Sequence, residues 1–108
     1  MTNILIAFTT CPTAESAETL ATALVSEGLA ACVNQLAGVK STYIWQGQLH
    51  RDNEILMLIK TTSDRLPALE ARLKALHPYE LPELIAVPVC AGSAPYLDWI
   101  RHNVASQD

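Results

Sequence analysis

The order of hydrophobic periods along this 108-residue chain leaves few folds open to it. Ile4 to Phe8 is a short unbroken apolar run ending in Thr and Pro, the pattern of a central strand buried on both faces. From Thr13 the period becomes helical: Ala17, Leu20, Ala21, Leu24 and Val25 recur at helical spacing, with Glu15 and Glu18 near the positive end. Gly28 follows the last periodic residue and marks the stop. Leu29 to Trp45 reads as extended, with a bulge or bend at Ala37-Gly38. Gln46-Gly47 then links it, as a tight hairpin, to a second β run over Gln48 to Thr61. That return strand is polar at first and strongly apolar from Ile55 to Ile59, so its far end should project from the core. Ser63 or Asp64 can cap the next helix, with Pro67 in its first turn and Leu66, Leu69, Leu73 and Leu76 as its apolar stripe. The helix stops at His77-Pro78. Leu84 to Cys90 is the last β run, and Pro88, which cannot donate to a ladder, places it at an edge or a bulge. Ser93-Ala94-Pro95 opens a short helix to about Val104, and the polar tail from Ala105 is expected to fray.

Strand, helix, strand, strand, helix, strand, helix fits an α+β, ferredoxin-like split βαβ arrangement: βαββαβ plus a C-terminal helix. The sheet is then antiparallel and four-stranded, with the first two helices on one face. The length expects one domain over residues 1–108.

Half of the residues are apolar and only 17% are charged, against about 25% in an ordinary domain. A small domain of this make-up would show apolar surface to water, and assembly with further copies is the simplest way to cover it. A formal charge of -4 with seven scattered Lys and Arg argues against nucleic acid or an anionic membrane as partner. The apolar runs are too short to span a bilayer, and the N-terminus has no secretory pattern. Three cysteines, Cys11, Cys32 and Cys90, are an odd and sparse set that fits reduced thiols in a cytoplasmic protein.

The stretch from His77 to Glu83 concentrates an imidazole, a phenol and two carboxylates between Pro78 and Pro82, which stiffen and extend it. Taken alone it reads first as a connector in which Pro78 ends a helix and the carboxylates are solvated. The topology brings the end of the first strand, the start of the first helix and the end of the second helix to one end of the layer. Cys11 therefore lies on the same side as His77, and the hairpin tip with Trp45 and Gln46 projects from that end. Cys11 precedes a helix N-terminus, which favours an acidified thiol and a soft metal ligand or reactive group; it serves equally as a small buried hydrophobe. Cys32 and Cys90 read as structural, His50 and His102 as surface residues, and Trp45 and Trp99 as interface or core residues. No Cys-x-x-Cys, glycine-rich phosphate loop, nucleophile elbow or zincin helix is present.

Five stretches now carry a resemblance. Leu29-Ala30-Ala31-Cys32-Val33-Asn34, the Tyr43-x-Trp45-x-Gly47 hairpin, Leu58-Ile59-Lys60-Thr61-Thr62, His77-Pro78-Tyr79-Glu80-Leu81-Pro82-Glu83 and Tyr96-Leu97-Asp98-Trp99 resemble, in order and spacing, the CutA family of divalent-cation tolerance proteins. The resemblance covers nearly the whole chain. It implies a ferredoxin-like subunit in a compact homotrimer similar in plan to PII signalling proteins, with long hairpins packed between subunits. It also implies a cytoplasmic protein linked to tolerance of copper and other divalent metals, with no established reaction. Copper-binding members are described as using a Cys at the end of strand 1 and His residues at the end of helix 2. Here His77 matches one such His, Leu76 precedes it, and Thr9 stands at the strand-end position with Cys11 two residues on.

The first reading is therefore a trimeric, non-enzymatic protein that binds a divalent cation, copper above others, through His77, Cys11 and Glu80, since imidazole and thiolate suit copper. The second is a PII-like sensor whose inter-subunit cleft takes a small anionic or nucleotide ligand, with Trp45, Lys60, Tyr79 and Glu83 as cleft candidates beside Glu80. The third is a structural trimer that organises a membrane or signalling partner through apolar hairpin surfaces.

Overall fold

The computed structural model describes residues 2–104; the tail expected to fray from Ala105 lies outside them. Its elements are β1 (Ile4–Cys11), α1 (Ala14–Ser26), β2 (Cys32–Trp45), β3 (Gln48–Thr62), α2 (Leu66–Leu76), β4 (Ile85–Pro88) and α3 (Ala94–His102). The strands form one antiparallel sheet in the order β2-β3-β1-β4. This is the split βαβ arrangement read from the sequence, with β1 central and β4 at an edge.

Local chemistry fixes both ends of α1. Thr13 and Ser16 form a reciprocal cap: Thr13 Oγ1 accepts the Ser16 N–H at 3.0 Å, and Ser16 Oγ accepts the Thr13 N–H at 3.3 Å. At the other end Gly28 adopts φ 73°, while Leu29 N–H donates to Leu24 O at 2.9 Å and Gly28 N–H to Val25 O at 3.1 Å. That pair of bonds satisfies carbonyls left over by the helix, and the left-handed residue costs least as glycine. Ala17, Leu20, Ala21 and Leu24 are buried as the stripe requires, but Val25 turns outward.

Gln46 and Gly47 both have positive φ, 51° and 78°, which matches the right-handed twist of β2 and β3 and closes the hairpin in two residues. The register between these strands shifts between Leu36 and Val39, where Gly38 takes φ 80°. The bend expected at Ala37-Gly38 is therefore a β-bulge. β1 pairs with β3 only as far as Cys11 opposite Ile55, whereas β3 continues back to Gln48 against β2. The hairpin beyond Glu54 consequently stands clear of the rest of the sheet.

Two boundaries differ from expectation. Neither Ser63 nor Asp64 caps α2: a 3₁₀ turn over Ser63–Arg65 intervenes, and α2 starts with Pro67 in its first turn and no side-chain cap. The turn offers the first amides i→i+3 geometry, which removes the need for a capping hydroxyl. β4 covers only Ile85–Pro88, shorter than the apolar run suggests, because Pro88 removes the next donor at an edge with a single neighbour. Helix α2 ends as expected, with His77 extended at φ -75° and ψ 138° under the constraint of Pro78.

Between the helices and the sheet lie Ala7, Cys11, Leu20, Leu24, Met57, Ile59, Leu69 and Leu73, all buried. On the opposite face α3 covers only one end, where Ile4 packs with Ile100 and Val104. The remainder of that face carries Leu36, Ile85 and Val87, each substantially exposed, while Ile44 and Leu49 are exposed on the other side of the projecting hairpin. No helix among the described residues is long and apolar enough to cross a membrane.

Because Leu73 has no exposed surface and sits between both helices and the sheet, Leu73→Ala is expected to cost about 2–5 kcal/mol, read as a lowered urea midpoint with an unchanged slope. Thr13→Ala, which removes only a cap, should cost about 1 kcal/mol in the same measurement. A Leu73→Ala loss no larger than that of Thr13→Ala would show that the helix–sheet layer is not the main core.

Candidate functional site

The point where β1 stops and the hairpin continues leaves a gap, and the stiff segment after α2 folds across it. The result is a cavity of about 800 Å³, lined by Thr10 from β1, Tyr43 and Trp45 from β2, Glu54 from β3 and residues 79–85.

His77 ties this wall to the sheet. Its Nδ1 accepts the backbone N–H of Tyr79 at 3.0 Å, and its Nε2 lies 2.7 Å from the carbonyl of Thr10. An amide N–H can only donate and a carbonyl can only accept, so the ring is neutral with its proton on Nε2. Tyr79, held in this way, packs its ring against the imidazole at 4.8 Å and donates its hydroxyl to Glu54 Oε2 at 2.6 Å. Burial, and then the bond to Glu54, push the Tyr79 phenol well above its ordinary range. Glu54 is itself buried, with 6% of its surface exposed. A second phenol–carboxylate pair, Tyr43 donating to Asp52, lies on the hairpin above, and that bond raises the Tyr43 phenol.

Cys11 is brought to His77, as the topology implied: its Sγ lies 3.8 Å from Nε2 and 3.3 Å from the Met57 sulfur. The thiol, however, is not acidified. Burial pushes its pKa from 9.0 up to about 11, with a smaller contribution from the Glu54 charge, while a hydrogen bond from Ser16 acts the other way. Loss of solvation outweighs the helix end because the sulfur has no exposed surface.

These contacts bear directly on copper. Both imidazole nitrogens are engaged and the neighbouring sulfur stays protonated, so the pair offers no free soft donor, and Glu80 is exposed on the cavity side. Among the described residues no group of three or more His, Cys, Asp and Glu gathers closely enough to hold a metal ion. The set His77, Cys11 and Glu80 therefore does not fit a bound metal as it stands.

Of the cleft candidates, Trp45, Tyr79, Glu80 and Glu83 line the cavity together. Lys60 does not. It lies toward the other end of the sheet beside α3, where it donates to the Tyr96 hydroxyl at 3.1 Å and lines a separate cavity of about 150 Å³. No Lys or Arg is among the described residues that line the larger cavity, whereas Glu54, Glu80 and Glu83 are. Burial, and then the Glu54 charge, raise the pKa of Glu83. An anionic ligand held within this cavity of one subunit would meet only like charge. Tyr43 enters the sequence reading only within the Tyr43-x-Trp45-x-Gly47 stretch, and Glu54 not at all. The one signal for Glu54 is register: it precedes the apolar run and shares a face with Leu56, which alternation along a strand can suggest.

Fold and site together define a ferredoxin-like α+β subunit with an acidic, aromatic-walled cavity at the root of a projecting hairpin. The family model for the CutA1 divalent ion tolerance protein matches residues 5–103, and the chain belongs to that family. It is 52% identical over 94 residues to the divalent-cation tolerance protein CutA of Thermus thermophilus, covering 87% of this chain and 91% of that one. It is 46% identical over 100 residues to the human protein CutA, covering 93% of this chain but only 56% of the human one. The solved Thermus thermophilus structure superposes with a TM-score of 0.92 at 48% identity, covering 94% of this chain and 99% of that chain.

The raised Cys11 pKa has a pH consequence of fixed sign. Above about pH 9 an unfolded thiol gives up its proton while the buried one keeps it, so the folded state binds more protons and stability falls as pH rises toward 11. Chemical denaturation across that window should show a steeper alkaline loss in the parent than in Cys11→Ala. Parallel slopes would mean that Cys11 ionises normally in the folded protein.

Proposed function

We propose that this protein is a non-enzymatic, cytoplasmic homotrimer that serves divalent-cation tolerance by attracting cations into the cavity at the root of its hairpin. One observation carries the reading: three carboxylates line that cavity and no cationic side chain is among the described residues there. Glu80 keeps the role first assigned to it, joined by Glu83 and Glu54. His77 and Cys11 stand behind the wall, where the imidazole holds Tyr79 in place. A divalent ion that keeps part of its water shell needs charge around it more than a closed cage of ligands. Assembly is supported by the uncovered sheet face and hairpin, where Leu36, Ile44, Leu49, Ile85 and Val87 are exposed. The number of copies, three, follows the likeness to the CutA family. The cytoplasm is the compartment in which three free thiols persist.

Light scattering of the purified protein should give a mass near three times 11.7 kDa, and a monomer at all concentrations would sink the assembly. Isothermal titration with Zn(II) and Cu(II) should show saturable binding that weakens in Glu80→Gln and Glu83→Gln. Binding that survives both changes yet vanishes in His77→Ala would instead return the imidazole to the role of metal ligand.

A further inference from the structure

We infer that the same cavity accepts a small organic cation, an alkyl-ammonium compound with an apolar body. This rests on the cation-attracting reading of the cavity but names a different ligand class from a metal ion. Four observations lead there.

The first is size. About 800 Å³ is within the range of small-molecule pockets, roughly 300–1,000 Å³, and far beyond what one ion fills. The second is the placement of charge. Glu54, Glu80 and Glu83 all face the cavity, yet no three acidic, His or Cys groups among the described residues converge to hold a metal ion. Carboxylates spread around a wall suit a polyatomic cation, which carries several donors on a frame, as well as they suit an ion that keeps its water shell. The third is the walls. Tyr43, Trp45 and Tyr79 line the cavity, and aromatic faces attract ammonium groups, most strongly where water is partly excluded. Leu84 and Ile85 complete the lining with apolar surface for a carbon chain.

The fourth is Glu54. It is buried and makes no ion pair with any described residue, the three salt bridges lying elsewhere. Tyr79 donates to Oε2, and among the described residues no side-chain or backbone donor is found on Oε1. A buried carboxylate is costly unless it is paired and fully hydrogen-bonded. An ammonium N–H directed at Oε1 would complete the set, with Glu80 and Glu83 neutralising any further positive charge.

The experiment uses the purified full-length oligomer, stripped of metal with a chelator. Putrescine and choline are the cation probes, citrate and AMP the anion controls, and Zn(II) the metal arm, each followed by titration calorimetry and by tryptophan fluorescence. Expected is saturable binding of an ammonium probe at one site per chain, a fluorescence change lost in Trp45→Phe, and no binding of citrate or AMP. Glu54→Gln, which preserves the shape and the acceptor for Tyr79, should weaken the ammonium probe about tenfold. Glu80→Gln, at an exposed position that cannot disturb folding, should weaken it by a smaller factor in the same direction. Binding of Zn(II) with no binding of either ammonium probe overturns the inference while the cation-attracting reading stands. Silence in all arms, the result if a second copy's own residues fill the cavity, overturns both. Ammonium binding indifferent to both carboxylate changes overturns the inference as well.

Discussion

Three parts of the chain depend on one imidazole. The end of β1, the segment after α2 and the middle of β3 are far apart in sequence, yet His77 bonds to Thr10 and to Tyr79, and Tyr79 bonds to Glu54. Each link satisfies a group in a buried or half-buried position: a strand-end carbonyl, a loop amide, a phenol and a carboxylate. Low dielectric makes such a network strong when complete and expensive when broken, since removing one member strands the others. Pro78 is what makes the link possible. By forcing His77 out of the helical region, it turns the side chain away from the helix axis at the point where β1 ends. Without that turn the segment would have nothing to anchor it across the gap, and the cavity would have no outer wall.

The same network decides what chemistry the site can support. An imidazole that accepts with one nitrogen and donates with the other is a structural group, and a buried thiol with a raised pKa is closer to a small hydrophobe than to a nucleophile or a metal ligand. Negative charge therefore collects on the far side of the wall, in Glu54, Glu80 and Glu83, and not at the His77–Cys11 contact. Chemical type alone had favoured the sulfur and the imidazole. Environment reversed the order, because desolvation and hydrogen-bond commitments belong to the fold and cannot be read from residue identity.

That contrast also explains which parts of the structure were legible in the sequence. Gly28, Gln46-Gly47, Ala37-Gly38 and Pro88 act on the backbone within a few residues, and each produced the feature its chemistry implies: a helix stop, a two-residue turn, a bulge and an edge strand. The order of periods then admitted little besides the split βαβ layer. The approach of Cys11 to His77 followed from topology alone. Lys60 was grouped with Trp45 and Tyr79 because nothing local says where along a fifteen-residue strand a side chain meets its neighbours. In the sheet it stands opposite Ile6 and Cys32, away from the hairpin, and α3 supplies its partner Tyr96. Glu54 escaped notice for the converse reason. A charged residue at the start of an apolar run looks like solvent-facing punctuation until the loop after α2 is known to fold over it.

Assembly and ligand binding share a boundary in this subunit. Ile85 lines the cavity and also stands opposite Phe8 on the sheet face that α3 leaves uncovered, and Tyr43 and Trp45 belong both to the cavity wall and to the apolar hairpin. In the trimer proposed above, any copy that covers that face or that hairpin must also touch the cavity rim. Covering the rim lowers the local dielectric, which strengthens the attraction between a bound cation and the carboxylates. A ligand that binds the assembled form more tightly than the lone subunit stabilises the assembly by mass action, and the assembly in turn tightens the ligand. The projecting hairpin thus has two consequences with one cause. The early end of β1 leaves the hairpin uncovered, and beside it opens the acidic cavity that neighbouring copies would help to enclose in the assembly proposed above.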